Sequence, residues 1–156
     1  MVEMDIPGFG PVRLERLVFD FTGTLSLDGR LLPGIRERLK RISEILKVHI
    51  LTADTFGKAE IELTGLDCAL QLLKGNHHDV QKKEYVKHLG ADRVIAIGNG
   101  SNDRLMLKAA KIGIAVTEGE GCSVEALMNA KIHVSSAVNA LDLVLNPLRL
   151  KATLRF

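Results

Sequence analysis

The sequence predicts an α/β fold in three layers, with a mostly parallel sheet between two layers of helices. Short runs rich in Val, Ile and Leu alternate with segments whose apolar residues recur every three or four positions. Strands that alternate with helices in this way are typical of parallel sheets covered on both faces. The chain has 156 residues, of which 46% are apolar, and this suffices for a full core. We therefore expect residues 1–156 to form one domain.

The N-terminus is predicted to form a β-hairpin. Val2–Ile6 has the composition of a strand, and the Gly- and Pro-rich segment 7–11 is typical of a turn. Val12–Phe21 is predicted to be the returning strand, which continues into the central sheet. The hairpin would thus lead directly into the buried part of the fold.

A second hairpin and the first helix follow. An Asp-Gly pair between apolar flanks predicts a tight hairpin over residues 26–31. Pro33 is suited to the first turn of a helix, and the apolar residues that follow it to Leu46 recur with a period near 3.6. Only small elements are therefore expected between the first two strands of the central sheet.

The rest of the chain alternates between strands and helices without a linker, a repeat or a low-complexity segment. Short apolar runs predict strands at Val48–Leu51, Cys68–Leu73, Val94–Ile97, Ile112–Val116 and Ile132–Val134. Helical periodicity predicts helices at Phe56–Leu63, Val80–Leu89, Asp103–Ala110, Val124–Asn129 and Val138–Leu145. The last residues, 148–156, are predicted to form a helical tail that packs on the surface.

Charge and apolar content argue against two classes of partner. Lys and Arg number 21 against 19 Asp and Glu, and no basic run is interleaved with aromatic residues, so a nucleic-acid partner is not expected. No apolar run approaches the roughly 20 residues that cross a bilayer. Cys68 and Cys122 lie far apart in a chain without a secretory leader, which indicates a reducing compartment. We therefore expect a cytoplasmic protein without a membrane partner.

Four polar clusters lie at or just after predicted strand ends or at a helix start. They are Asp20–Thr24, Leu51–Asp54, Lys82-Lys83 and Gly98–Asp103. Each alone has a structural explanation, since Asp caps turns, Thr bonds its own backbone, surface helices expose Lys, and loop Ser or Asn caps helices. In open α/β sheets, however, the carboxyl ends of the strands form the ligand site. The four clusters are therefore candidates for one shared site.

Together the clusters fit phosphoryl transfer through an aspartyl intermediate. Asp20 would be the nucleophile. The transferring oxygens need hydrogen-bond donors, and the Thr52 hydroxyl and a lysine are suitable. Backbone N–H groups near Gly23, Thr24 and Ala53 are further candidates, and Thr22 is also expected to bind the phosphate.

The same reaction needs a divalent cation beside the incoming phosphate. Mg²⁺ prefers oxygen ligands and keeps several waters. The candidate ligands are the Asp20 carboxylate, the Thr22 carbonyl oxygen, the Asn99 amide oxygen and the Asp103 carboxylate. The sequence therefore predicts Mg²⁺ as the cofactor.

In order and content, the four clusters resemble the motifs of the haloacid dehalogenase (HAD) superfamily over most of the chain. That family has DxDGT, then a Thr or Ser at the end of the next strand, a Lys, and GDGxND. This sequence has DFTGTL, ILTADT, Lys82 followed by Tyr85-Val86, and IGNGSNDRLMLKAAKIGIAV. The resemblance implies a Rossmann-like, HAD-like fold and a Mg²⁺-dependent phosphatase. It also favours Lys82 over Lys83 and Lys74, because the distance of Lys82 from Tyr85-Val86 resembles the family spacing.

Within the superfamily, the first two motifs are similar to those of P-type ATPases, which read DKTGT and TGD. The resemblance does not extend to ion pumping, because the sequence has no transmembrane segment and only 26 residues, Ser26 to Leu51, separate the first motif from Thr52. A nucleotide-binding insert or a cap domain does not fit there. In capless relatives a neighbouring subunit or a large substrate usually covers the site. The resemblance thus implies a small phosphorylated substrate or a phosphoprotein, and is consistent with a homo-oligomer.

Two residues depart from the family pattern. Thr22 replaces the acidic residue that protonates the leaving group and later activates water, which predicts slow hydrolysis and a long-lived phosphoenzyme. Asn99 replaces an Asp, which predicts weaker Mg²⁺ binding. Two hypotheses follow. One is a slow Mg²⁺-dependent phosphohydrolase that forms an aspartyl phosphate at Asp20, and the other is a regulatory or binding module that takes up phosphate there without useful turnover.

Overall fold

The N-terminal part of the chain forms a hairpin and the first strand of the central sheet. The computed structural model describes residues 1–54 and 57–156. In it, β1 (Val2–Ile6) pairs antiparallel with β2 (Gly10–Leu14), and β3 (Arg16–Asp20) follows. A second small hairpin, β4 (Ser26–Leu27) with β5 (Arg30–Leu31), comes next.

The remaining elements alternate as the sequence predicts. They are α1 (Ile35–Ser43), β6 (Lys47–Thr52), α2 (Ala59–Glu62), β7 (Ala69–Leu72), α3 (His78–His88), β8 (Val94–Gly98), α4 (Arg104–Ala109), β9 (Ile112–Val116), α5 (Val124–Asn129), β10 (Ile132–Val134), α6 (Ala137–Leu145) and α7 (Pro147–Leu154). Short 3₁₀ turns at Ala91–Arg93 and Ser101–Asp103 precede β8 and α4.

Six of the described strands form one sheet in the order β10-β9-β8-β3-β6-β7, and every pair in it is parallel. From β3 the chain moves outward through β6 to β7, then crosses back to β8 on the other side of β3 and continues to β10. The direction of winding therefore reverses beside β3. In open α/β sheets such a switch point, at the carboxyl ends of the strands, is where ligands bind.

The sheet is covered on both faces, as predicted. Along β3 the side chains alternate, because successive residues of a strand point to opposite faces. Leu17 and Phe19 belong to a core formed with α1, α6 and α7. Val18 belongs to a second core formed with α3, α4 and α5. The α/β fold with a parallel sheet and an N-terminal hairpin is thus confirmed.

The prediction of one continuous strand over Val12–Phe21 is wrong. The chain leaves the hairpin and enters the central sheet at Glu15, whose N–H donates to the Arg93 carbonyl and whose carbonyl accepts from the Lys47 N–H. The residues before Glu15 pair antiparallel with β1, and those after it pair in parallel with β6 and β8. One strand cannot serve both sheets, so it is divided.

Helices α2 and α7 overlap two of the predicted helical segments. The predicted helix start at Phe56 lies outside the described residues, and the described helix is Ala59–Glu62. The predicted tail is helical as α7, and Leu150 and Leu154 are buried against the core. Among the residues that the structure describes, no helix has the length and apolarity needed to cross a membrane.

Candidate active site

Three neighbouring strands end in polar or glycine residues at one edge of the sheet. Asp20 is the last residue of β3, Thr52 of β6 and Gly98 of β8. Because β3 lies between β6 and β8, these strand ends are adjacent. They border an open cleft of about 200 Å³, which is lined by Asp20, Thr22, Thr52, Ala53, Lys82, Asn99, Gly100, Asn102 and Glu120.

A buried lysine joins the first and last of the predicted motifs. Lys82, on the second turn of α3, is 1% exposed, and its Nζ donates to Asp20 Oδ1 at 2.6 Å and to Asp103 Oδ1 at 2.7 Å. Lys83 forms no ion pair with any described residue, and Lys74 is exposed. The structure therefore brings Lys82 into the cleft and leaves the other two candidate lysines outside it.

The charges around Lys82 do not balance. Burial, and after it the negative charge of Asp103, raise the pKa of Asp20 to about 7, because Lys82 only partly offsets the two effects. Burial alone would lower the pKa of Lys82, but Asp103 and Asp20 outweigh it and hold that pKa above its ordinary value. Lys82 therefore stays charged. Two carboxylates share one ammonium group, and the site has room for a further positive charge.

Replacing Lys82 by Met should destabilise the fold strongly, because it leaves two buried carboxylates without their cation. Breaking a buried ion pair by removing one partner costs about 3–5 kcal/mol. For a chain of this size the melting temperature should then fall by roughly 10 °C. Urea unfolding in buffer with EDTA measures the change in the free energy of unfolding. Lys83→Met is the matched control and should stay near wild type; equal losses in both variants would contradict this ion-pair network.

Asp103 binds Lys82 and also organises the loop after β8. Its Oδ2 accepts hydrogen bonds from the N–H groups of Asn99 at 3.0 Å and Gly100 at 2.9 Å. The carboxylate folds back over Gly98 so closely that a Cβ there would lie 2.5 Å from Asp103 Cγ. Only glycine fits at that strand end. Since Oδ1 already accepts from Lys82, Asp103 is better placed to reach a metal through water than directly.

The Asn99 side chain connects two loops. Its Oδ1 accepts from the Thr24 hydroxyl at 3.1 Å, a hydroxyl that lies equally far from Asp20 Oδ2. Its Nδ2 donates to the Gly121 carbonyl at 3.0 Å. An aspartate could not make the second bond. The amide thus has a structural role that the family's usual residue could not fill.

The predicted phosphate donors fall into two groups. The N–H groups of Gly23 and Thr24 donate to the carbonyls of Ser26 and Phe21, so the expectation that both are free for phosphate does not match this structure. These bonds close the tight turn that follows Asp20. At the end of β6, by contrast, the Ala53 N–H has no acceptor among the described residues.

Thr52 is oriented by its own loop. Its Oγ1 accepts from the Asp54 N–H at 2.9 Å, which leaves the hydroxyl hydrogen available to donate into the cleft. Asp54 in turn accepts from the first N–H groups of α2 through Oδ1. The second motif is therefore fixed by local hydrogen bonds.

The donor set fits Mg²⁺ better than a metal that needs an all-protein cage. Across residues 1–54 and 57–156, no three His, Cys, Asp or Glu side chains lie close enough together to hold a metal by themselves. The cleft instead offers the Asp20 carboxylate, the Asn99 amide oxygen and the backbone at Thr22. Mg²⁺ keeps several waters and binds through few protein oxygens. A divalent cation would also balance the excess negative charge around Lys82.

Glu120 is a further cleft residue, and no motif in the sequence identifies it. It lies in the loop between β9 and α5, and its Oε2 would be 2.5 Å from a Cβ on Gly23, which has φ +77°. No periodic pattern marks such a loop residue. The available signal was its position just after β9, because every strand of a parallel sheet ends at the same edge.

Known sequences show similarity to a hydrolase family, to a transport ATPase and to an uncharacterised protein. Residues 67–137 match the model of the haloacid dehalogenase-like hydrolases. A probable copper-transporting ATPase of Arabidopsis thaliana is 30% identical over 131 residues, which are 80% of this chain but 13% of that protein. An uncharacterised protein of Methanocaldococcus jannaschii is 49% identical over 63 residues, which are 40% of this chain and 68% of that protein.

Solved structures share the fold. The 3-deoxy-D-manno-octulosonate 8-phosphate phosphatase of Moraxella catarrhalis, solved with magnesium, phosphate and the sugar acid, superposes with a TM-score of 0.69. The alignment covers 91% of this chain and 94% of that one at 16% identity. The likeness extends over nearly the whole of both chains, and at that identity it concerns the fold.

Proposed function

We propose that the chain, whose residues 67–137 match the haloacid dehalogenase-like hydrolases, is a Mg²⁺-dependent phosphohydrolase acting through an aspartyl phosphate at Asp20. The observation that supports the proposal most directly is the buried Asp20–Lys82–Asp103 network beside an open cleft at the switch point of the sheet. The substrate would be a small phosphorylated molecule or a phosphoprotein. A homo-oligomer that covers the cleft is part of the same proposal.

Asp20 performs the covalent step. One carboxylate oxygen attacks phosphorus, the bond from phosphorus to the leaving oxygen breaks, and that oxygen takes a proton from solvent. Water then attacks phosphorus, which releases inorganic phosphate and restores the carboxylate. Lys82 donates to Asp20 Oδ1 and holds the side chain in place during both steps.

Donors around the cleft would bind the phosphate oxygens. The Thr52 hydroxyl and the Ala53 N–H are the best placed, since neither group's hydrogen has an acceptor among the described residues. Lys82 also lines the cleft and adds positive charge there. Preorganised donors of this kind stabilise the charge that develops in the transition state.

Asp20, the Thr22 carbonyl and Asn99 would hold Mg²⁺, with Asp103 acting through water. The chemistry that the ion supplies when bound is neutralisation of the phosphate charge and orientation of its oxygens. A panel of phosphomonoesters, with and without Mg²⁺, tests the proposal. Slow turnover that requires Mg²⁺ is expected, together with a phosphoprotein when acetyl phosphate is supplied; absence of both in folded protein would overturn it.

Asn99→Asp should bind Mg²⁺ more tightly, because it adds a carboxylate to the metal's ligand set. We expect the dissociation constant to fall roughly 10-fold. The metal-free variant should be less stable by about 1 kcal/mol, since an aspartate cannot donate to the Gly121 carbonyl. Calorimetric titration and thermal melts measure the two effects. Asn76→Asp, with the same charge change outside the cleft, should alter neither; unchanged affinity in Asn99→Asp would place residue 99 outside the metal shell.

One observation favours a second function, a module that accepts phosphate without useful turnover. Thr22 lines the cleft where a family phosphatase has its acid–base carboxylate. The phosphoprotein would then persist as a signal. Acetyl phosphate separates the alternatives, because an enzyme releases many equivalents of phosphate per chain whereas a module stops after one.

A further inference from the structure

Glu120 places a carboxylate in the cleft on the same side as Asn99. The two side chains flank Gly23: a Cβ on that residue would lie 2.5 Å from Glu120 Oε2 and 2.8 Å from Asn99 Nδ2. Glu120 makes no hydrogen bond or ion pair with any side chain or backbone group in the described part of the chain. Its charge is therefore not already paired within the protein.

The loop that bears Glu120 is fixed on both sides. The Gly121 N–H donates to the Glu118 carbonyl at 2.8 Å, which closes a tight turn with Gly121 at φ +79°. The Glu118 carboxylate accepts from the Ala137 N–H at the start of α6. The turn therefore has a defined position, and Glu120 stands at its tip.

Asn99 holds the other side of the loop. Its Nδ2 donates to the Gly121 carbonyl, and its own carbonyl accepts from the Ser123 N–H at 2.8 Å. Asn99, which lacks the negative charge of the family's usual Asp, thus positions the loop that bears the negatively charged Glu120. An aspartate at position 99 could not hold Gly121 in this way.

From this geometry we propose that Glu120 stabilises the bound Mg²⁺ electrostatically, without direct coordination, and supplies the negative charge that Asn99 lacks. The inference rests on the proposed metal site described above. Since no three His, Cys, Asp or Glu side chains of the described residues form a metal cage, Glu120 would act on the ion through its water shell. Mg²⁺ suits this arrangement because it retains several of its waters when protein-bound.

Calorimetric titration of the whole protein with MgCl₂ alone tests the inference. Measurement in about 0.15 M KCl screens charges more than roughly 8 Å away. Glu120→Gln should raise the dissociation constant for Mg²⁺ about 10-fold without changing the metal-free melting temperature. Glu125→Gln is the matched control, because it removes the same charge from an exposed residue of α5 outside the cleft, and it should bind like wild type.

A charge exchange makes the test specific. In Asn99→Asp/Glu120→Gln the lost charge is restored at the other position, so the affinity should return to within about 3-fold of wild type. If the double variant stays as weak as Glu120→Gln, or if Glu125→Gln weakens binding equally, the inference is overturned. Equal binding by wild type and Glu120→Gln overturns it too, and leaves the proposed function intact. Failure of the wild type to bind Mg²⁺ would instead remove the metal site on which both proposals rest.

Discussion

Asp20→Asn should abolish formation of the phosphoprotein and lower turnover by more than about 10⁴-fold, the scale on which removal of a catalytic nucleophile acts. The amide cannot attack phosphorus, although its oxygen can still accept from Lys82. The substitution also removes one of the two carboxylates that share that ammonium group, so the fold should be at least as stable as wild type. Loss of activity would then reflect the loss of the nucleophile and not unfolding of the protein.

Labelling with radioactive acetyl phosphate and steady-state assays on a chromogenic phosphomonoester measure the effect. Asp67→Asn is the matched control: it removes the same charge from an exposed residue just before β7, at the opposite edge of the sheet, and should leave both readouts unchanged. Turnover by Asp20→Asn within about 10-fold of wild type would contradict the assignment of Asp20 as nucleophile.

Thr22→Asp should shorten the lifetime of the phosphoprotein by about 10² to 10⁴-fold, the usual contribution of general acid–base catalysis. This corresponds to roughly 3–5 kcal/mol of activation free energy. The physical reason is that a carboxylate at position 22, beside the nucleophile, can take a proton from the attacking water, whereas a threonine hydroxyl cannot.

Single-turnover decay of the labelled phosphoprotein measures this lifetime. Thr22→Asn has a similar shape to Thr22→Asp without the ability to exchange a proton, so it should decay at the wild-type rate. If both variants decay alike, the slow step is not limited by a missing acid–base group. A gain confined to Thr22→Asp would instead show that the native residue sets the slow rate.

The order of elements was predictable because buried strands and helices have characteristic patterns of apolar residues in the sequence. The fully buried strands β8 and β9 appear as continuous apolar runs, and α1 repeats its apolar residues with helical spacing. No such pattern marks the break at Glu15, since the residues on both sides of it are apolar enough for a strand. Only the competition between two sheets for the same backbone reveals it.

The candidate site was predictable where a motif carries it. Asp20, Thr52 and Asn99 line the cleft because strand ends of a parallel sheet share one edge, and Lys82 lines it from α3. Glu120 was not predictable from a motif, since its approach to Gly23 depends on how the loop after β9 is bonded to Asn99.

Two details of hydrogen bonding were also not predictable from the sequence. The N–H groups of Gly23 and Thr24 are used inside their own turn, and both Asp103 oxygens are already occupied by donors. Sequence patterns identify which groups exist at a site, but not which of them are already satisfied. That information depends on loop geometry at the scale of single bonds.

The position of β3 between β6 and β8 has a consequence for synthesis on the ribosome. Asp20 emerges well before the strand that ends at Gly98 and before the carboxylate of Asp103. Larger domains assemble as units once their long-range partners are present. The nascent protein should therefore acquire the proposed phosphate-transfer chemistry only after Asp103 has emerged, and a product truncated before β8 should have none.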